Sequence, residues 1–175
     1  TYAIKPATGR TYDKYSFLDQ GAVADEIQQG VAGDIGMQVA YVGDGTPQNT
    51  ALFVLYADKN SPAGKAGVNR GMQITAVNGN TNVYTDGTTS NVSNVVNAVY
   101  NDASASFTFK KIDGTSFTTT LAKTVYNINP VLFDSVYSVG VKKVGYFVFN
   151  SFAADDNQNG PTLTKQELSR IFNKL

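Results

Sequence analysis

The stretch at 60–79, NSPAGKAGVNRGMQITAVNG, constrains the fold more than any other part of the chain. Ser61 is a helix-capping residue type, Pro62 suits the first helical position, and Gly67 suits the residue just past the end. Residues 61–66 therefore read as a helix of one or two turns. After Gly71 the apolar period changes: Met72, Ile74 and Ala76 alternate with Gln73, Thr75 and Val77, as on a strand. Asn78-Gly79 then closes that strand with a tight turn, because both residue types tolerate positive φ.

This order of elements resembles the S-P-A-x-x-A-G-I/V/L-x-x-G-D-x-I-x-x-I/V-N/D-G signature of PDZ domains, especially those of bacterial proteases. The match runs through Ser61, Pro62, Ala63, Ala66, Gly67, Val68, Gly71, Ile74, Val77, Asn78 and Gly79, with Met72 where an Asp is usual.

Composition bounds the chemistry. A chain of 175 residues holds one large domain, or one small domain with flanking pieces. Lys plus Arg number 14 and so do Asp plus Glu, so no electrostatic case exists for a nucleic-acid partner or an acidic membrane surface. The absence of His and Cys excludes a Ser-His-Asp triad, a Cys-His dyad, a His- or Cys-based zinc site and any disulfide. Catalysis by these residues alone would rest on Ser-Lys, Thr, Tyr or paired carboxylates. No apolar run approaches the roughly 20 residues that span a bilayer, so direct membrane insertion by this segment is not expected. The chain starts at Thr1 without a signal-like segment, which reads as a processed or engineered start with any export signal outside it.

Asp13-Lys14-Tyr15-Ser16-Phe17-Leu18 precedes a short amphipathic helix at 22–29, with Val23 and Ile27 on one face. Taken alone it is a packing appendage. It is also similar to the D-P-Y/F-S-x-Y-L/F segment of the C-terminal processing, or tail-specific, serine proteases, with Lys14 replacing the Pro and Phe17 one residue early.

The glycines Gly30, Gly33 and Gly36 lack the spacing of a dinucleotide loop, and no cofactor is expected. In the resembled family G-G-I/L-G-I/M/L-x-I/V/L forms the loop and first strand of a ligand groove. The resemblance implies that backbone N–H groups of Asp34, Ile35 and Gly36 receive a peptide's terminal carboxylate. The strand at 37–42, opening with Met37, Gln38 and Val39, would pair with the peptide by strand addition. Asp34 puts an acidic side chain beside that anion site, which works against a carboxylate ligand.

A second strand follows at 52–56, and Asp44, inside Gly43-Asp44-Gly45, reads as turn chemistry rather than a metal ligand. Helix 91–102 carries Val92, Val95, Val96 and Val99 at helical spacing. The resemblance makes this helix the far wall of the groove, with Val92 and Val96 nearest the ligand. The plainer alternative is that all four valines are core. Residues 107–111 and 116–121 read as a hairpin around Asp113-Gly114. The expected class is α+β: a PDZ-like small β-barrel or sandwich with two helices at 31–123, preceded by the helical segment at 1–30.

Pro130 and the extended character of 124–140 suit a linker. Val144-Gly145-Tyr146-Phe147-Val148-Phe149 is apolar on both faces, as in a strand buried in a parallel sheet. Thr164 and Glu167 form a capping box that opens a helix carrying Leu168, Ile171, Phe172 and Leu175 on one face. Strand and helix form half of a βαβ crossover, so 141–175 reads as the truncated start of an α/β domain. Asp155, Asn157, Asn159 and Gly160 imitate a calcium loop, but position twelve is Gln166 rather than Glu and a strand precedes it, so the solvated-loop reading leads.

Val144 to Phe152, VGYFVFNSF, resembles the strand that begins the catalytic domain of the C-terminal processing proteases. Members use a Ser nucleophile activated by a neutral Lys, in keeping with a chain that lacks His. Both residues follow this strand in the family pattern, and Ser151 precedes the nucleophile's place. The expectation is the recognition portion of a Ser-Lys endopeptidase of the bacterial cell envelope or periplasm, inactive by itself and binding protein or peptide C-terminal tails. The rivals are a noncatalytic PDZ-containing scaffold and a pseudo-peptidase. No sequence feature sets the oligomeric state.

Overall fold

The computed structural model describes residues 31–43, 50–84, 89–149 and 163–174. Its centre is an open five-stranded sheet built from β2 (Met37–Gly43), β3 (Thr50–Ala57), β4 (Gln73–Val77), β5 (Ser104–Lys110) and β6 (Ser116–Ala122), in that spatial order. Every neighbouring pair is antiparallel. β2 and β6 are its two edges, so among the described residues the sheet does not close and the barrel expectation is corrected.

The 60–79 stretch folds as its residue types dictate. Ser61 caps helix α1 (Pro62–Lys65) with an extended backbone, its Oγ accepting from the Gly64 N–H at 3.1 Å. Gly67 and Gly71 take φ of 83° and 87°, values open to glycine at little cost. Asn78 and Gly79 both have positive φ, and Val77 and Asn80 exchange backbone hydrogen bonds of 3.0 and 2.9 Å across them.

The core fills one side of this sheet. Leu52, Val54, Ile74, Phe107, Phe109 and Leu121 point inward from the strands and cluster with Ile35 and Met37. Each such side chain contributes about 1.5–3 kcal/mol by leaving water. Phe109 stacks on its cross-strand partner Phe117 at 5.3 Å between ring centres and on Phe107 at 5.9 Å, which pins the β5–β6 register.

Helix α2 (Thr89–Val96) is shorter than the sequence suggested, because the chain widens into a π-helical turn at Asn97–Asn101. The widening turns Ala98 and Val99 into the core beside Val95. Val92 is left half-buried and Val96 is 41% exposed, so the valine stripe divides between core and surface.

Two further departures lie downstream. Of residues 124–140, read as a linker, the first part is bonded back onto the sheet domain and the rest forms β8 (Val131–Val139). β7 (Tyr126–Asn127) pairs with β1 (Val31–Ala32), Asn60 Nδ2 donates to Asn127 O at 2.9 Å, and Val131 is fully buried. The strand read as parallel and buried is β9 (Lys142–Phe149), which instead pairs antiparallel with β8. Gly140, at φ 61°, permits the tight reversal that makes β8 its nearest partner. Tyr146 is 53% and Val144 47% exposed there, so an apolar pattern on both faces does not mark burial in this hairpin. Helix α3 (Leu163–Phe172) packs on β8 and β9 through buried Ile171 and an edge-on contact of Phe172 with Phe147. The segments read at 1–30 and at 155–160 lie outside the described residues.

Candidate functional site

The loop between β1 and β2 is held by its carbonyls. Ile35, 1% exposed, anchors it in the core, and its C=O accepts from the Ala63 N–H at 3.0 Å. The Gly36 C=O accepts from the Asp58 N–H at 2.9 Å. Gly36 itself has φ 71°, and a Cβ built on it would lie 2.0 Å from Ser61 Cβ. No other residue fits there, so the packing of Ser61 under α1 fixes the path of the loop.

The Gly36 N–H, expected to face a ligand's carboxylate, already has an acceptor. It donates to Asp34 Oδ1 at 2.7 Å, and the Tyr126 hydroxyl donates to the same oxygen at 2.7 Å. The Gly36 amide, to which the resemblance gives the role of anion receptor, is thus already engaged within the loop. The physical reason is Asx chemistry, in which an Asp side chain bonds the backbone two residues on.

A second carboxylate lies behind this one. Asp58 is 2% exposed and accepts from the Tyr56 hydroxyl at 3.0 Å and from the Asn60 and Asn129 amides at 2.8 Å each. Burial, reinforced by the hydrogen bond to Asp34, pushes the Tyr126 hydroxyl well above the usual tyrosine range. Burial, then the charge of Asp58, does the same to Tyr56. Both phenols are therefore proton donors at any ordinary pH.

Beside the loop runs β2. Met37 is buried, Val39 and Tyr41 pack partly against the core, and Gln38 and Val42 face outward. One side of β2 bonds to β3, with a register shift at Gln38/Val39, and no strand pairs with the other side among the described residues. Val95 and Val99 of the α2 region belong to the same buried cluster as Ile35 and Met37, while Val92 and Val96 sit on the more exposed side of that helix. The structure thus groups Asp34, Ile35, Gly36, Met37, Gln38 and Val39 at one sheet edge. Val92 and Val96 are placed on the exposed side of α2. Sequence reasoning missed Tyr126 and Asp58; Asp-x-Gly at Asp34 carried a readable Asx-turn signal, whereas nothing local marks Tyr126.

A mostly antiparallel open sheet with few helices is compatible with a PDZ-like domain. Comparison of the sequence with family models finds no match, and comparison with curated proteins finds none either. Among solved structures, the fold is similar to a "Putative S41 protease from Bacteroides fragilis NCTC 9343", with a TM-score of 0.52 at 18% identity. The likeness covers 90% of this chain and 44% of that one, so this chain spans less than half the length of its structural neighbour. S41 denotes the C-terminal processing family. At this identity the shared property is the fold.

Proposed function

We propose that this chain is the substrate-recognition part of a serine endopeptidase of the C-terminal processing type, its 31–123 region acting as a PDZ domain. In this reading β2 accepts an extended polypeptide, drawn from the C-terminal tails of proteins or peptides, as an added strand. The observation that carries it is the place of β2 at the edge of an open sheet, beside a rigidly tied glycine loop. Strand addition needs a row of backbone N–H and C=O groups without a strand partner, and among the described residues β2 pairs with a strand on one side only. The same reading gives Val92, half-buried, and Val96, 41% exposed, the role of an apolar wall for that strand.

The fold likeness to the S41 structure supports the protease assignment. A chain without His leaves Ser-Lys as the activation mode that the resemblance implies, and in the family pattern both residues follow β9. This chain then contributes recognition and not bond cleavage, and it needs no cofactor. The resemblance also assigns an exported, cell-envelope location; no helix among the described residues is long and apolar enough to cross a membrane.

Titrating the isotope-labelled chain with Val- and Ala-rich tail peptides tests the reading. Amide shifts should concentrate at residues 37–43 and at Val92 and Val96. Saturable binding that leaves β2 unperturbed would refute it, and cleavage of an unfolded protein by this chain alone would refute the division of labour.

A further inference from the structure

We infer that the groove reads its polypeptide through the backbone and rejects a terminal carboxylate at the Gly36 loop, so that its occupant is a segment that continues past the loop. This rests on the strand-addition reading above and specifies the chemistry of what that edge accepts.

A carboxylate-binding loop works by offering unpaired N–H groups to an anion. Here the Gly36 N–H is spent on Asp34 Oδ1 at 2.7 Å. That oxygen is held from a second side by the Tyr126 hydroxyl at 2.7 Å, so the carboxylate is fixed at the loop rather than free to swing aside. Both donors are formally neutral and leave the Asp34 charge uncancelled. The loop cannot rotate to present a different amide, because the Ile35 and Gly36 carbonyls are tied to Ala63 and Asp58 and the space over Gly36 is filled by Ser61.

An incoming carboxylate therefore meets a like charge where it needs a donor. At contact distance near a protein surface, such a pair weakens binding by about tenfold or more, and salt reduces the effect. A chain passing through meets no such penalty, since its peptide groups are neutral.

The test uses one fluorescein-labelled, Val- and Ala-rich peptide sequence in three forms: free acid, C-terminal amide, and extended by several neutral residues. The whole chain should bind the amide and the extended form about tenfold more tightly than the acid at low salt, with the gap narrowing at high salt. Asp34→Asn keeps an acceptor oxygen for Gly36 and Tyr126 while removing the charge, and should close most of that gap while the chain remains folded at the assay temperature. An acid form that binds as well as or better than the amide, with shifts along β2, overturns this inference and leaves strand addition standing. A gap unchanged in Asp34→Asn overturns the role given to Asp34. If no form binds β2, strand addition fails and this inference with it.

Discussion

Tyr126 donates its hydroxyl hydrogen to Asp34, 92 residues earlier in the chain, at 2.7 Å. Since Gly36 donates to the same carboxylate oxygen, one side chain joins the β1–β2 loop to the segment that leaves the sheet domain. Tyr126→Phe removes that link while keeping the ring. A hydrogen bond to a charged acceptor contributes about 1.5–3 kcal/mol, and the exposure of Asp34 lets water replace part of it. The expected loss is about 1–2 kcal/mol, read as a lower urea midpoint at unchanged slope.

Alkali should weaken the fold through the same hydroxyls. Tyr126 and Tyr56 both hold their protons above the ordinary tyrosine range in the folded chain, mainly through burial. Unfolded tyrosine titrates near pH 10, so above about that value the unfolded state binds fewer protons than the native one. Their contribution is thus full below about pH 10 and is lost as the pH rises beyond it. Urea midpoints from pH 8 to 11 should fall above pH 10, and fall less in a Tyr56→Phe, Tyr126→Phe double variant.

Asp58 is the more sensitive carboxylate. Removing it strands two backbone N–H groups and the Tyr56 hydroxyl in a site where Asp58 is 2% exposed. At about 1–3 kcal/mol for each unsatisfied buried group, Asp58→Ala should cost about 3 kcal/mol or more, and Asp58→Asn roughly half of that. Differential scanning calorimetry measures both. An Ala variant as stable as the parent would mean that the network is dispensable.

The 60–79 stretch was legible because its conformation is decided locally: a capping Ser, a Pro at the first helical position, and glycines with positive φ in the turns. The α2 stripe was legible as a pattern but not in its phase. The π-helical turn brings Ala98 inward, and nothing in Asn97 to Asn101 announces it. β9 misled for a different reason: apolar residues on both faces imply burial only if something covers both faces, and its pairing with β8 leaves several of them exposed. At the site, Asp34 was readable as an acid near the loop. The hydrogen bond that engages Gly36 and the contribution of Tyr126 depend on tertiary placement that spacing does not encode.

Acid should loosen α3 from the β8–β9 hairpin. Asp134 accepts from Arg170 Nη2 at 2.7 Å and is also bonded by Lys174, while Arg170 pairs with Glu167 at 2.8 Å. The hydrogen bond from Arg170, then that from Lys174, holds the Asp134 carboxyl far below the usual carboxylate range. Its stabilisation is present above about pH 4, the unfolded value, and is lost as the pH falls below it. Solvent around Arg170 and Lys174, 40% and 45% exposed, keeps the effect to about 1 kcal/mol or less. Asp134→Asn should lower the urea midpoint slightly at pH 7, with the difference from the parent shrinking toward pH 2.

The most direct measurement of the central claim is residue-resolved amide hydrogen exchange along β2, with and without a saturating extended peptide. Strand addition predicts that alternate amides within 37–43, those facing away from β3, exchange quickly in the free chain and become protected when peptide is bound. Amides along that edge that exchange at the same rate with peptide bound as without it would contradict the account.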